Sequence, residues 1–172
     1  GVIDADLGLM GGDMRAVERT YNLLQQVSGR AGRTKKIGQV FIQTYYPDNP
    51  VMRSFKNRDR DSFIKQTLEE RKQFNMPPFS FLTAIVISGT SQAKVESYAN
   101  DLVKGHILEK GIDILGPVKA PLYLLRGRYR YRLLLKGDKR NKLNLFTKKM
   151  IEKNPLPSTI RLIIDVDPYT FM

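Results

Sequence analysis

The chain reads RGRYRYRLLLK over residues 126–136, its most regular stretch. Cationic side chains alternate there with aromatic and apolar ones, a period of two that is typical of a β-strand with two unlike faces. Gly127 favours a tight turn immediately before the strand, which places Arg126 and Arg128 at the tip of a β-hairpin. We therefore predict a β-hairpin here that joins two consecutive strands of one domain.

The segments on either side of this hairpin complete a β-α-β-β-α-β order. Runs rich in Val and Ile predict strands, helical periodicity predicts two helices, and Pro117 and Pro121 make the strand before the hairpin an edge or kinked strand. That order is the ferredoxin-like split motif, so we predict an α/β (α+β) fold with a ferredoxin-like domain over residues 79–172. The predicted elements are strands at residues 81–88, 112–125, 129–136 and 159–166, and helices at residues 91–109, with Ser91 as N-cap, and 139–153.

A different order occupies residues 1–47. Residues 1–9 start as the end of an apolar strand and break into a loop, and Asp13 is a good N-cap for a helix that ends at Gly29. Alternating side chains at residues 38–46 predict a second strand. Strand, helix, arginine-rich loop and strand form the closing piece of a RecA-like lobe, which needs further parallel strands to be complete.

Residues 48–78 lie between these two regions. Helical patterns cover residues 49–55 and 59–74, and the sequence Asn-Met-Pro-Pro at residues 75–78 ends the second one. We therefore interpret residues 48–78 as connector helices between two domains.

Positive charge is concentrated in one part of the chain. The formal net charge is +12, and residues 118–150 hold eleven basic side chains against the single acid Asp138. Such a cluster is typical of a nucleic-acid-binding surface, because neutralised phosphates release their counterions. The alternative is a solubilising surface without a specific ligand.

The hairpin is the part of this basic region with a defined spacing. Residues two apart on a strand share a face and lie roughly 6.6 Å apart, which approximates the phosphate spacing of an extended single strand. We predict that its cations bind a DNA backbone without reading bases. The tyrosines and leucines that alternate with them are interpreted as core, with base stacking by Tyr129 or Tyr131 as the alternative. The predicted DNA-binding residues are Arg126, Arg128, Arg130, Arg132 and Lys136.

The other cationic pattern reads QVSGRAGR over residues 26–33. Its two glycines let the backbone approach a ligand closely, and Arg30 and Arg33 can direct two guanidinium groups at one point. Phosphate is the natural target of paired guanidinium groups, as in an arginine finger. The alternative is a basic, solvated helix end and loop.

Residues 26–33 match the pattern Q-x-x-G-R-x-G-R, which resembles motif six of the superfamily-two helicases. Residues 1–9 and 13–20 resemble the motif-five segment of one helicase family, the primosomal replication-restart helicases (primosomal protein N-prime). Short sequences throughout the rest of the chain are similar to the same family. They are Gln43-Thr44-Tyr45, Pro77-Pro78-Phe79, Leu115-Gly116-Pro117, Arg126-Gly127-Arg128-Tyr129-Arg130, Leu133-Leu134-Leu135-Lys136 and Ile164-Asp165-Val166-Asp167-Pro168.

The resemblance implies the C-terminal portion of an ATP-dependent 3′-to-5′ DNA helicase that restarts stalled replication forks and assembles the primosome. It implies that Arg30 and Arg33 contact the β- and γ-phosphates of a nucleotide bound between two helicase lobes, and which of them is the finger stays open. The residues that would accompany them in cofactor binding are Gln26, Gly29 and Gly32. Asp4 and Asp6 match motif five, where they would couple nucleotide to DNA, although such residues are more often loop and capping carboxylates.

The resemblance also implies cofactors, partners and a compartment. ATP and Mg²⁺ would act in the intact protein, which also carries zinc in a cysteine-bound module that this chain, having no cysteine, cannot contain. The implied partners are forked or single-stranded DNA, single-strand-binding protein and other primosome components. The implied compartment is the bacterial cytoplasm.

Several classes of function lack the residues that they need. The chain has no G-x-x-x-x-G-K-[ST] loop, so we expect it not to hydrolyse ATP alone. The single histidine, His106, is interpreted as a surface or boundary residue, and neither a metal site nor a Ser-His-Asp or Cys-His arrangement is predicted. Apolar runs are too short to cross a bilayer, and no membrane partner or signal peptide is expected.

Two rival functions remain at this point. The first is a stand-alone, non-enzymatic nucleic-acid-binding protein, for which the arginine loop would be unnecessary. The second is an interaction module whose basic face binds an acidic protein tail, which would compete with DNA for that face.

Overall fold

The computed structural model describes residues 1–9, 15–31, 39–104 and 109–170. It divides into two compact units, Gly1–Glu70, the N-terminal unit, and Arg71–Met172, the C-terminal unit. The described part of the chain contains no helix that is both long enough and apolar enough to cross a membrane.

The described residues form five helices and four strands, so the predicted mixed α/β class is confirmed. In chain order the helices are α1 (Ala16–Ala31), α2 (Pro50–Asn57), α3 (Arg60–Gln73), α4 (Gln92–Val103) and α5 (Arg140–Glu152). The strands are β1 (Phe81–Gly89), β2 (Ile112–Leu125), β3 (Arg128–Gly137) and β4 (Ile160–Val166).

The C-terminal unit contains one antiparallel sheet with the strand order β2-β3-β1-β4. With α4 after β1 and α5 after β3, the predicted β-α-β-β-α-β order is confirmed. Strand β2 lies at an edge, as its two prolines predict, and its pairing with β3 shifts register between Leu115 and Val118 and again between Lys119 and Leu124. Pro117 and Pro121 fall within these two irregular stretches, because proline cannot donate a backbone hydrogen bond to a strand.

The core of the C-terminal unit lies on one face of this sheet. From Tyr131 to Gly137 every second residue of β3 is buried, including Leu133 and Leu135, as the alternating sequence predicts. Both helices pack on that face, α4 through residues such as Leu102 and α5 through residues such as Met150, in a single apolar cluster. The period of two therefore sorts β3 into a core face and an opposite face.

Burial of the Tyr131 hydroxyl predicts that the stability of this core depends on pH. Its ring is 4% exposed, and burial raises the pKa of its hydroxyl, because ionisation would leave a charge in the core. A group with a raised folded-state pKa contributes stability that is complete below its unfolded value, about 10, and is lost as the pH rises above it.

We predict that Tyr131→Phe reduces the alkaline loss of stability of the chain. Phenylalanine keeps the ring in the core and removes the ionising hydroxyl, so the melting temperature should fall less between about pH 9 and pH 11 than in the wild type. Thermal unfolding followed by circular dichroism measures this change. Parallel curves for the two proteins would contradict the assignment.

The N-terminal unit has its own core among three helices. Tyr21 of α1 stacks on Phe63 of α3, with ring centroids 4.3 Å apart and an interplanar angle of 8°, and Phe55 of α2 meets Tyr21 edge-on at 6.4 Å. Asn49 caps α2 by accepting a hydrogen bond from the Val51 backbone N–H at 2.9 Å. The helices predicted as connectors therefore exist, and both contribute buried residues to this core.

The predicted helix end at Gly29 is wrong. Helix α1 continues to Ala31, and Gly29 has helical rather than left-handed backbone angles. A glycine inside a helix lowers helix stability by only about 1 kcal/mol relative to alanine. The helix can therefore continue through it unless the backbone also adopts a left-handed turn there. The predicted N-cap, Asp13, lies outside the described residues.

The predicted strand at residues 38–46 is also wrong over the described residues 39–46. They make one isolated parallel bridge, between Ile42 and Val2, and otherwise have no strand structure. A strand needs a partner along its length, and in this unit only residues 1–5 supply one. The described residues therefore do not form the parallel sheet of a RecA-like lobe.

The predicted helix at residues 91–109 is too long. Helix α4 ends at Val103, and Lys104 has an extended backbone with φ −58° and ψ 128°. The next residue in the sequence is Gly105, a residue type that favours helix ends. Residues 105–108, including His106, lie outside the described part of the chain.

Candidate nucleic-acid interface

The sheet of the C-terminal unit has a second face, turned away from α4 and α5, which we call the open face. The alternation of each strand and the pairing registers place the same side of neighbouring strands together. Apolar and charged side chains are mixed on this face. Its residues are Asp113, Leu115, Val118 and Leu125 of β2, Arg128, Arg130, Arg132, Leu134 and Lys136 of β3, Leu82, Ala84, Val86 and Ser88 of β1, and Arg161, Ile163 and Asp165 of β4. Of these, Leu82 and Ser88 are buried.

The predicted hairpin tip is confirmed. Leu125 pairs with Arg128, and the two residues between them, Arg126 and Gly127, have φ angles of 51° and 73°. Two positive φ angles define the tight turn that suits the twist of a β-hairpin. Arg126 is exposed in this turn, next to the open face.

Two of the predicted DNA-binding arginines stand on the open face without internal partners. Arg130 and Arg132 are half-buried, and neither has an ion pair or side-chain hydrogen bond among the described residues. They follow one another on the same side of β3, roughly 6.6 Å apart along the strand. Their guanidinium groups are therefore available to an external anion.

The other two cations on this face of β3 have partners within the fold. Arg128 donates a hydrogen bond from Nη2 to the backbone oxygen of Ser88 at 2.9 Å, although its Nε is buried without a partner. Lys136 forms an ion pair with Asp113 of the neighbouring strand, with Nζ 3.1 Å from Oδ2. DNA binding by Lys136 stays a prediction, and it would require competition with this carboxylate.

The basic region of residues 118–150 does not form one surface. Its C-terminal part lies on α5, which packs on the core face of the sheet and therefore lies opposite the open face. Several of these cations are already engaged: Arg140 pairs with Asp167 and lies over the Phe81 ring, and Lys148 pairs with Glu152 at 3.8 Å. The local charge excess therefore overstates the charge that any one face can present to DNA.

Arg161 is a residue that the sequence analysis missed. It lies on the open face of β4, where its pairing partner Ser88 on β1 is also the partner of Arg130 on β3. Strand spacing places Arg161 about 10 Å from Arg130 across the sheet. The signal was present in the sequence IRLIIDV, in which Arg161, Ile163 and Asp165 alternate with four apolar residues on the other side of the strand, of which Ile160 is buried and Leu162 half-buried.

The tyrosines of the hairpin lie on the side of β3 that faces the helices. Tyr131 is buried, which confirms its interpretation as core, and Tyr129 is half-buried. Their rings meet Tyr123 at centroid distances of 5.7 and 5.5 Å, and the Lys119 ammonium lies 4.7 Å from the Tyr123 ring centroid. The open face therefore offers arginines and aliphatic side chains to a ligand rather than these aromatic rings.

The predicted arginine loop is described only in part. Gln26, Gly29 and Arg30 are exposed in the last two turns of α1, and Gln26 and Arg30, four residues apart, share one side of that helix. Gly32 and Arg33 lie outside the described residues. The predicted convergence of the two arginines on one phosphate therefore stays a prediction.

The two aspartates that match motif five hold the backbone of the N-terminal unit. Asp6 is 2% exposed, and its carboxylate accepts hydrogen bonds from Thr44 Oγ1 at 2.5 Å and from the Tyr45 backbone N–H at 2.6 Å. Asp4 accepts one from the Leu7 backbone N–H at 3.2 Å. These bonds confirm the interpretation of the pair as loop and capping carboxylates.

Comparison with known families covers the C-terminal unit almost completely. Residues 72–169 match the family model described as the primosomal protein N C-terminal domain. The chain belongs to this family. The open face and its hairpin are therefore features of a primosomal protein N C-terminal domain.

Relatives of the primosomal protein N family align with the N-terminal unit as well. The chain is 45% identical over 172 residues to "Replication restart protein PriA" of Rickettsia conorii, 39% over 170 residues to that of Synechocystis and 35% over 179 residues to that of Bacillus subtilis. These alignments cover 99%, 98% and 100% of the chain but only 26%, 20% and 22% of the relatives. The chain therefore spans about a quarter of the length of the curated relatives that it matches.

Proposed function

We propose that this chain is the C-terminal portion of an ATP-dependent 3′-to-5′ DNA helicase that restarts stalled replication forks and assembles the primosome. In it, the C-terminal unit binds the DNA backbone through the open face, and the end of α1 supplies the arginine loop to a nucleotide site. Family membership supports the restart and primosome roles. DNA, forked or single-stranded, single-strand-binding protein and other primosome components are the proposed partners, in the cytoplasm.

The observation that carries the DNA-binding part is the state of Arg130 and Arg132. Both are held on one face of a central strand, spaced like successive phosphates, and neither has an internal carboxylate among the described residues. Arginines without internal partners can replace counterions on a phosphate backbone, which favours binding through entropy. The aliphatic neighbours on the open face suit contact with sugars or bases without sequence readout.

The nucleotide part rests on donors at the end of α1. Arg30 and Gln26 are exposed and carry N–H groups suited to phosphate oxygens. Hydrolysis of a bound ATP would supply the free energy for translocation. We propose that α1 belongs to a RecA-like lobe completed by other parts of the longer protein. We propose that the residues that hold Mg²⁺ and zinc would belong to those other parts.

The stand-alone binding protein and the acidic-tail module are less well supported. Each would use the open face, but neither accounts for the similarity of residues 1–71 to the same relatives. An acidic peptide that displaced DNA from the chain would favour the second alternative.

We predict that Arg130→Ala combined with Arg132→Ala weakens single-stranded DNA binding by about tenfold or more at low salt. Loss of two phosphate contacts should also reduce the slope of log K against log salt by about 1.4, since each contact contributes about 0.7 on a single strand. Fluorescence anisotropy with a labelled oligonucleotide, repeated at several salt concentrations, measures both quantities.

The matched control is Lys148→Ala combined with Lys149→Ala. It removes the same two charges from exposed positions on α5, opposite the open face. Affinity and salt slope should remain close to the wild type. Equal losses in both double variants would show that net charge rather than the open face governs binding.

A further inference from the structure

The two edges of the sheet in the C-terminal unit differ in regularity. Edge strand β2 is interrupted by two prolines and two register shifts, devices that discourage pairing with another chain. The other edge, β4, pairs with β1 without a shift from Ile160 to Val166 and contains no proline. Its outer side therefore presents backbone N–H and C=O groups of Leu162, Ile164 and Val166 that no described residue pairs with, whereas the Ile160 N–H already donates to the Pro157 backbone oxygen at 2.9 Å.

Strand β4 also exposes more apolar surface than an edge strand normally does. Ile163 is 60% exposed, Val166 48% and Ile164 45%. Long, flat and apolar edges are sites of β-pairing between chains. The chemistry of β4 therefore determines which strand can pair with it.

The sequence of β4 complements itself when the strand is reversed. Ile160 to Val166 reads IRLIIDV, with the only cation two residues before the central Ile163 and the only anion two residues after it. An antiparallel pair centred on Ile163 places Arg161 opposite Asp165 of the second copy, and Asp165 opposite Arg161. Every other position in the pair is apolar opposite apolar.

Two requirements select this register: Arg161 must lie opposite Asp165, and all seven residues of each strand must overlap. Any antiparallel register other than the one centred on Ile163 separates Arg161 from Asp165 or shortens the seven-residue overlap. Arg161 and Asp165 both lie on the open face, so their side chains point the same way from the paired strands. Within the described residues of one copy neither has an ion-pair partner.

We propose that β4 pairs antiparallel with β4 of a second copy of this chain, joining two four-stranded sheets into one of eight strands. The contact is isologous, because each copy contributes the same strand and the same two charges. It satisfies the free backbone groups of both edges, covers the exposed isoleucines and forms two cross-strand ion pairs. The open faces of the two copies then become continuous.

A second copy fits this edge better than an unrelated peptide does. A foreign strand would need a base followed four residues later by an acid, with apolar residues at the other positions, and β4 itself supplies that pattern. Because the contact is short, we expect a dimer that dissociates at low concentration and is populated toward about 0.5 mM.

Sedimentation equilibrium of the 172-residue chain tests the proposal. Near physiological salt the apparent mass should rise with concentration from 19.7 kDa toward twice that value. Arg161→Asp and Asp165→Arg, each alone, place like charges opposite one another at two positions and should weaken the dimer by about tenfold or more. A wild-type chain that stays monomeric up to about 0.5 mM overturns the proposal.

The same substitutions combine to test the register. Mixing the Arg161→Asp chain with the Asp165→Arg chain restores both opposite-charge pairs, so a heterodimer should form although each homodimer is weakened. The double variant Arg161→Asp/Asp165→Arg keeps the formal net charge and should dimerise like the wild type. If a dimer exists but ignores the single reversals, or if the mixture fails to associate, β4 is not the contact.

Net charge alone predicts a different outcome. Arg161→Asp lowers the positive charge of the chain, so general repulsion between copies would decrease and dimerisation would strengthen. Stronger association of this variant would therefore count against the pairing, and circular dichroism of each variant establishes that it is folded.

Discussion

Replacing Leu133 with alanine should lower the free energy of unfolding of the C-terminal unit by about 3 kcal/mol. Leu133 is 1% exposed and lies on a central strand opposite Ile85, with both helices packed on the same face. Alanine would remove the contacts of the Leu133 side chain within the apolar cluster of sheet and helices. The cavity would stay open, because β3 is held between β2 and β1 and cannot move to fill it. Urea unfolding followed by circular dichroism measures the loss.

Leu134 is the control for this substitution. It is the same residue type at the next position, but it points to the open face and is only half-buried. Leu134→Ala should cost about 1 kcal/mol or less, because water already reaches the side chain. Equal losses at the two positions would contradict the assignment of the two faces of β3, on which the DNA-binding proposal depends.

Phe63→Ala should destabilise the N-terminal unit by about 3 to 4 kcal/mol. Phe63 is 6% exposed and stacks on Tyr21, which is 2% exposed, so its loss removes the contact that holds α3 against α1. The core of this unit has few other large buried side chains to compensate. Faster amide exchange in α1 and α3, with little change in β1 and β3, is the expected observation.

Phe41→Ala provides the matched comparison in the same unit. Phe41 is 72% exposed. It contacts residues 1–5 through its backbone oxygen, which accepts a hydrogen bond from the Val2 N–H at 2.8 Å and does not depend on the side chain. Its loss should change stability by about 0.5 kcal/mol or less. A large effect would mean that the exposed ring is covered in solution.

The sequence was informative where local pattern and tertiary structure agree. The alternation of β3, the Arg126–Gly127 turn and the prolines of β2 each predicted the observed element, because each acts through its neighbours in the chain. The N-terminal strand prediction failed because a strand at residues 39–46 requires a partner of equal length, which alternation cannot guarantee. The predicted helix end at Gly29 was wrong because glycine permits a helix to end but does not require it.

The candidate site was predicted in outline but not in its partners. The spacing of Arg130 and Arg132 correctly indicated a shared face. The same reasoning could not reveal that Ser88, forty residues away, accepts a hydrogen bond from Arg128, or that Asp113 neutralises Lys136. Such pairs depend on which strands become neighbours, and a single sequence gives no direct measure of that.

The interruptions in β2 have a consequence for assembly. A sheet that is regular along both margins can add subunits without end and grow into a filament. Here only one margin can accept another strand, and a reciprocal contact uses it up in both molecules. In the proposed dimer, the prolines on the far side of the sheet would therefore limit growth to two molecules.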